Sequence, residues 1–194
     1  MPVVELLPVG NGAFSTWTAS PPGTPHWRAV FDPVAADDDA SFVRSGGDTQ
    51  LVETFRYETG RLSPRVRPVS WIGLKARVRR TALGFAENVR FAPRVYSSGI
   101  AAQGSTIILP RATTAWNNYG PETIAAWRFF LDPATGRPWT DAAALSAELG
   151  MVDLTFDEGA GAQHDLRWTL ARKVMNVNYW DRPAVRGGDH GAGQ

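Results

Sequence analysis

The segment VSWIGLKARVRR, residues 69–80, carries basic side chains at alternate positions, Lys75, Arg77 and Arg79. Because strand side chains alternate between two faces, this spacing predicts three cations on one face, about 6.7 Å apart. Such a stripe can bind the phosphates of nucleic acid or the carboxylates of an acidic protein surface. No familiar nucleic-acid-binding motif accompanies it. We therefore expect it to dock on an acidic patch of a neighbouring subunit.

A run of three acids, Asp37, Asp38 and Asp39, lies in the segment DPVAADDDASF. Calcium binds several carboxylate and carbonyl oxygens, and acidic loops can supply them. However, this run lacks the alternate spacing and the glycine of an EF-hand loop. The sequence therefore predicts a solvated acidic loop without a metal. The same three side chains are our candidate partner for the basic stripe of a second copy.

The sequence does not match the known motifs for catalysis or for phosphate binding. The histidines His26, His164 and His190 are scattered, the chain has no cysteine, and G-x-S-x-G and H-E-x-x-H patterns are missing. The segment GNGAFS, residues 10–15, has neither the third glycine nor the helix pattern of a dinucleotide site, and we expect a turn there. The sequence thus predicts no catalytic residue and no cofactor.

Aromatic residues are the remaining candidates for ligand contact, because flat rings stack on sugars and bases. Four of the eight tryptophans lie in alternating segments and are expected to pack in the core: Trp17, Trp27, Trp127 and Trp168. Trp116 and Trp180 lie near loops. With Tyr119, they are the candidates for a carbohydrate-binding surface.

The 194 residues predict one domain over residues 1–180 and a flexible polar tail over residues 181–194. No run approaches the roughly 18 apolar residues of a membrane span, and the first ten residues lack the features of a signal peptide. We therefore expect synthesis in a cytoplasm and no membrane partner. Charge is uneven, since residues 60–111 hold ten basic residues and one acid.

Short alternating segments separated by Gly, Pro, Asn and Asp predict about ten strands. They are 13–18, 26–31, 41–43, 50–58, 69–80, 88–96, 105–109, 123–131, 151–156 and 165–180. One short helix is predicted near 140–149, with Thr140 as its N-terminal cap and Gly150 as its C-terminal stop. This pattern predicts an all-β fold, a jelly-roll-like antiparallel β-sandwich with one short α-helix.

The segment DPATGRPWT, Asp132 to Thr140, joins a predicted strand to the predicted helix. Proline and glycine fix a turn, and a buried tryptophan gives that turn a large apolar anchor. We therefore expect a structural corner rather than a catalytic loop, with Trp139 as its anchor.

The order of four segments resembles a family of jelly-roll virion proteins of tailed bacteriophages. The segments are LLPVGNGAFSTWTAS, HWRAVFDPVAADDDASFV, VSWIGLKARVRR and DPATGRPWTDAAALSAELGMVDL. The resemblance extends from about Leu6 to about Tyr179. It implies a non-enzymatic structural component of the virion, of the minor tail, appendage or capsid-decoration type. It also implies partners among other virion proteins, or a homo-oligomer such as a trimer, without nucleic acid.

Two alternatives stay open. The same architecture could form a carbohydrate-binding module for host surface glycans through Trp116, Tyr119 or Trp180. It could also form an enzyme acting on host surface polysaccharide, although the scattered acids and histidines argue against this.

Overall fold

The computed structural model describes residues 3–31, 40–45, 51–59, 66–80, 88–110, 114–155 and 166–179. Within these ranges the chain forms fifteen β-strands, two short α-helices and one 3-10 turn. The strands are β1 (Val3–Leu6), β2 (Pro8–Ser15), β3 (Thr18–Ser20), β4 (Phe42–Ser45), β5 (Val52–Tyr57), β6 (Val66–Arg80), β7 (Asn88–Ser97), β8 (Ile100–Gln103), β9 (Ile107–Pro110), β10 (Asn117–Tyr119), β11 (Arg128–Phe129), β12 (Leu131–Asp132), β13 (Arg137–Pro138), β14 (Glu148–Asp153) and β15 (Leu166–Tyr179). The helices are α1 (His26–Ala29) and α2 (Asp141–Ser146), and the 3-10 turn spans Ala125–Trp127.

The strands form two antiparallel sheets and a small hairpin. Sheet A has the order β10-β6-β15-β4-β3, with β1 also paired to β15 and β11 to β6. Sheet B has the order β2-β5-β14-β7-β8, with β9 also paired to β7. Successive strands from β4 to β7 alternate between the sheets, and β14 and β15 return to the middle of each. This is the strand order of a jelly roll, so the predicted all-β sandwich is confirmed.

The core lies between the sheets and is built from alternate residues of each strand. On β6, the inward side chains Ile72, Leu74, Ala76 and Val78 are fully buried. Trp168 of β15 packs edge-on against Phe55 of β5, with ring centroids 5.1 Å apart. Burying large apolar side chains of this kind contributes about 1.5–3 kcal/mol each. Within the described residues, no helix is long and apolar enough to cross a membrane.

Two segments predicted as continuous strands contain helical turns. Residues 26–31 contain α1, in which the backbone N–H groups of Arg28 and Ala29 donate to the Pro25 oxygen at 2.9 and 3.2 Å. The helix buries Ala29 and turns His26 toward the sheet. In residues 123–131, a 3-10 turn precedes β11. The strand prediction was wrong for 26–31, where tertiary contacts outweighed a weak alternating pattern, and it holds only for the second half of 123–131, which contains β11 and the start of β12.

The predicted turn at GNGAFS is also wrong, since this segment lies inside β2. Asn11 pairs with Phe55 and Ser15 with Glu53, so β2 advances four residues while β5 advances two. In this bulge the N–H of Ala13 donates to Glu148 Oε2 at 2.7 Å. This bond takes the place of a backbone hydrogen bond between the strands. A Cβ on Gly12 would collide with Thr54 and Glu148, which explains the glycine.

The helix predicted near 140–149 is α2, and Thr140 caps it as expected, with Oγ1 accepting from the N–H of Ala143 at 3.2 Å. The helix ends at Ser146, so Gly150 is not its stop. Gly150 lies in β14, where a Cβ would collide with the backbone of Glu53 on β5. This glycine allows two strands to approach rather than ending a helix.

The DPATGRPWT corner is a turn between β12 and β13. The Asp132 carboxylate accepts from the N–H of Ala134 at 3.0 Å, and Gly136 has a φ of 67°. Trp139 is 2% exposed, and its Nε1 donates to the oxygen of Phe129 at 2.7 Å. The side chain therefore joins the corner to the strand segment that precedes it.

Candidate interaction surface

The basic stripe predicted on β6 lies on the outer face of sheet A. Its three side chains are half-buried, whereas the residues between them are completely buried in the core. The structure therefore places Lys75, Arg77 and Arg79 on one face, away from the opposite sheet. Their role as a partner interface stays a prediction.

Strand pairing extends the stripe sideways across sheet A. Arg79 on β6 pairs with Arg167 on β15, and Arg167 pairs with Arg44 on β4. Paired residues of adjacent strands share a face, so three arginines stand side by side on three neighbouring strands. We call Arg44, Arg79 and Arg167 the arginine row. Like charges directly opposite one another repel, unless other groups compensate them.

Aromatic rings support the guanidinium groups of this surface. The guanidinium carbon of Arg79 lies 4.5 Å from the ring centroid of Trp116, and that of Arg77 lies 5.8 Å from it. Arg167 lies 4.5 Å from the ring centroid of Phe42. Cation–π contacts of this kind contribute about 0.5–1 kcal/mol at exposed sites. They hold the arginine side chains against the sheet.

Lys75 has a different environment from the arginine row. Its Nζ lies 2.8 Å from Glu5 Oε1, and both side chains are more than a third exposed. The ion pair neutralises the end of the stripe nearest β1.

The other predicted contact residues are placed differently. Tyr119 lies on the inner face, with its ring 5.4 Å from Phe91 and 5.9 Å from Trp127, and burial raises its pKa. Trp116 is covered by Arg77 and Arg79. Asp37, Asp38, Asp39 and Trp180 lie outside the described residues, as do His164, His190 and the predicted tail 181–194. A stacking platform formed by Trp116 and Tyr119 together is not favoured by this geometry.

His26 meets a serine and a buried carboxylate. Its Nδ1 lies 2.9 Å from Ser15 Oγ and 2.9 Å from Glu53 Oε1, and Glu53 Oε2 accepts from the N–H of Trp17 at 3.1 Å. In a nucleophilic triad, serine and carboxylate contact opposite nitrogens of the imidazole. Here both contact Nδ1, so His26 is not placed to relay a proton from Ser15 to Glu53.

Burial dominates the electrostatics of Glu53. The carboxylate has no exposed surface, and desolvation raises its pKa above 4.5, although His26, Trp17 and Ser15 act in the opposite direction. Its hydrogen bonds join β5 to β2 and α1. The cluster therefore has a clear structural use in closing one end of the sandwich.

Lys173 on β15 is a buried cation on the inner face. Its Nζ donates to the oxygens of Leu145 at 3.1 Å and Ala147 at 2.7 Å. Burial lowers the pKa of Lys173 to about 7. These bonds hold the end of α2 against sheet A.

Among the described residues, no group of three or more His, Asp or Glu side chains is placed to bind a metal.

Arg44 and Arg167 were missed at the sequence level. Neither belongs to an alternating series of charges within its own strand, and only the register of β4, β15 and β6 brings them beside Arg79. The alternation in LRW, residues 166–168, was a usable signal, because Leu166 and Trp168 are buried and Arg167 points outward. The strands that pair with β15 could be identified only from the three-dimensional fold.

Comparison with known proteins gives little beyond this geometry. No protein-family model matches the chain, and no curated protein matches it. A solved structure of the arabinose-bound α-L-arabinofuranosidase MgGH51 is similar, with a TM-score of 0.47 and 14% sequence identity. The match covers 88% of this chain and 26% of the arabinofuranosidase, so the chain spans about a quarter of that enzyme's length. The sandwich assignment rests on the strand order and register described above.

Proposed function

We propose that this chain is a non-enzymatic structural component of a tailed-bacteriophage virion, of the minor tail, appendage or capsid-decoration type. It is synthesised in the host cytoplasm and incorporated by docking on another virion protein or on further copies of itself, for example as a trimer. The docking surface is the outer face of sheet A. The proposal follows the sequence resemblance and adds a physical surface to it.

The observation that carries the proposal is the arginine row. Three cationic side chains lie in register on one face of the sheet, and charge complementarity favours docking of such a surface against an acidic partner surface. The row lies on β4, β15 and β6, which are interior strands of sheet A, and all three side chains reach solvent to some degree. A rigid and flat basic surface is suited to docking against a complementary protein face.

The alternative of glycan binding has less support. Stacking on sugars needs a free ring face, whereas Trp116 lies under two guanidinium groups and Tyr119 is packed in the core. Selective retention on a host glycan array, lost on Trp116→Ala substitution, would favour a carbohydrate-binding module instead.

The test removes the charge of the row and follows assembly. A triple variant, Arg44→Gln, Arg79→Gln and Arg167→Gln, is expected to fold and to lose incorporation into phage particles, measured by labelling and electron microscopy of purified virions. A matched triple variant, Arg28→Gln, Arg90→Gln and Arg137→Gln, removes the same charge from exposed positions outside the row. It is expected to incorporate normally.

Light scattering of the free protein gives a second measurement. Self-association driven by the row should weaken at high salt and disappear in the row variant, because exposed charges are screened beyond about 8–10 Å. Normal incorporation of the row variant would contradict the proposed docking surface.

A further inference from the structure

Two buried hydrogen-bond donors at the edge of the arginine row have no acceptor. Among the described residues, Arg79 Nε and Trp116 Nε1 are shielded from solvent and form no hydrogen bond. Their side chains are in contact, since the Arg79 guanidinium carbon is 4.5 Å from the ring centroid of Trp116. More than about 90% of buried polar groups are hydrogen-bonded, so two adjacent orphan donors indicate a place where an acceptor binds.

The chemistry of the two groups defines that acceptor. Arginine has five N–H donors and no acceptor, and the indole has one donor only. A ligand that satisfies both must therefore accept hydrogen bonds, and the cationic arginine row favours a negative charge. An oxyanion with two oxygens fits, because the guanidinium fork matches carboxylate and phosphate geometry.

We propose that Arg79 and Trp116 form a binding subsite for a carboxylate side chain of the docking partner. The choice of a protein carboxylate rests on the proposed function and on one further observation. The rings of this surface, Trp116 and Phe42, each lie against a guanidinium group 4.5 Å from their centroids. They do not offer the free ring faces on which the bases of single-stranded nucleic acid stack.

Binding requires a small local movement. Both nitrogens are shielded in the free protein, so the long Arg79 side chain must rotate partly off the Trp116 ring to present Nε and expose the indole N–H. A carboxylate then accepts from both donors and exchanges a cation–π contact for two charge-assisted hydrogen bonds. Hydrogen bonds to an ionised group are stronger than the exposed cation–π contact that is lost.

The experiment observes the two donors directly by NMR of the ¹⁵N-labelled protein, with the Trp116 indole resonance assigned from a Trp116→Phe variant. The probe is a blocked hexa-aspartate peptide, and blocked hexa-asparagine is the neutral control. We expect hexa-aspartate to shift the Trp116 Nε1–H and Arg79 Nε–H resonances together and saturably, and hexa-asparagine to leave them in place. Peptide binding that moves neither resonance would overturn the subsite.

Conservative variants separate hydrogen bonding from charge. Arg79→Lys keeps the charge and removes the Nε–H, and Trp116→Phe keeps a ring and removes the indole N–H. Each is expected to weaken peptide binding about tenfold, the equivalent of about 1.4 kcal/mol, while Arg90→Lys, on sheet B, should have no effect. Unchanged affinity in both variants would contradict the proposal.

Two further arms identify the source of the anion. Sodium phosphate at equal ionic strength should shift the two resonances only weakly, and a single-stranded oligonucleotide of equal charge should bind less tightly than hexa-aspartate. Tighter oligonucleotide binding through Arg79 and Trp116 would overturn the assignment to a protein carboxylate. Failure of the row variant to enter particles, with no peptide response at Trp116, would keep the docking surface and reject this subsite.

Discussion

Positively charged side chains have different surroundings on the two faces of sheet A. On the inner face, Lys173 is completely buried and donates to two backbone oxygens held by α2 and the residue after it. On the outer face, Arg79 and Arg167 lie against aromatic rings beside other cations. An interior charge must have fixed acceptors within the chain, whereas a charge near the surface is also stabilised by water and is accessible to a partner. The inner face therefore carries stability, and the outer face carries the proposed interaction.

The largest effect on stability is expected at Trp139, which is buried in the core. Trp139→Ala should lower the free energy of unfolding by about 3–5 kcal/mol, because it removes a large buried side chain and leaves the oxygen of Phe129 without its donor. Urea unfolding of the variant measures this. Trp139→Phe should cost clearly less, and Trp116→Ala on the outer face should cost least of the three. Parent-like unfolding of Trp139→Ala would contradict the anchoring role.

The next effect is a pH dependence that belongs to Lys173. Its pKa in the folded protein is about 7, below the unfolded value of 10.5. Between these values the unfolded chain binds the extra proton, so the free energy of unfolding should rise with pH by up to about 1.4 kcal/mol per pH unit. Urea unfolding at pH 7, 8 and 9 should show this rise in the parent and a loss of it in Lys173→Met. Lys75→Met changes a lysine that is more than a third exposed and should keep the parent slope. If the free energy of unfolding of Lys173→Met still rose with pH, another group would be responsible.

The buried carboxyl group of Glu53 should make the free energy of unfolding depend on pH with the opposite sign, at lower pH. Burial raises its folded pKa above 4.5, so the folded protein holds the proton more tightly and stability should fall as pH rises from about 4.5 through that raised value. Glu53→Gln removes the ionisable group and should flatten this fall, measured by urea unfolding between pH 4 and 7. Glu5→Gln, at an exposed carboxylate, is the matched control. An unchanged profile in Glu53→Gln would assign the effect to another group.

The sequence allowed the sandwich and the β6 alternation to be predicted because both depend on local periodicity. Residues 74–79 alternate strictly between apolar and basic side chains, and β6 spans Val66–Arg80. Segment 26–31 alternates only weakly, and there the contacts of His26 with Ser15 and Glu53 accompany a short helix instead. Local pattern was sufficient where one face of a strand is wholly apolar, and it failed where a few tertiary contacts decide the conformation.

The candidate surface was predicted along one strand but not across the sheet. Lys75, Arg77 and Arg79 could be placed on one face from their spacing alone, whereas Arg44 and Arg167 reach that face through pairings between distant segments. The meeting of His26 with Glu53, and of Lys173 with the end of α2, has the same cause. Register between strands far apart in sequence is a property of the whole fold, so residue spacing cannot supply it.

The smallest effect is expected for the ion pair between Lys75 and Glu5 on the outer face. Both side chains are more than a third exposed, and pairs of this kind contribute about 0–1 kcal/mol because water and salt screen them. A double-mutant cycle with Lys75→Met and Glu5→Gln should therefore give a coupling energy below about 1 kcal/mol that declines further at high salt. A coupling of several kcal/mol would show that outer-face charges also stabilise the fold, and the contrast between the two faces would then fail. A small coupling would agree with outer-face charges that contribute little to the stability of the fold, which is what the proposed docking role of the arginine row requires.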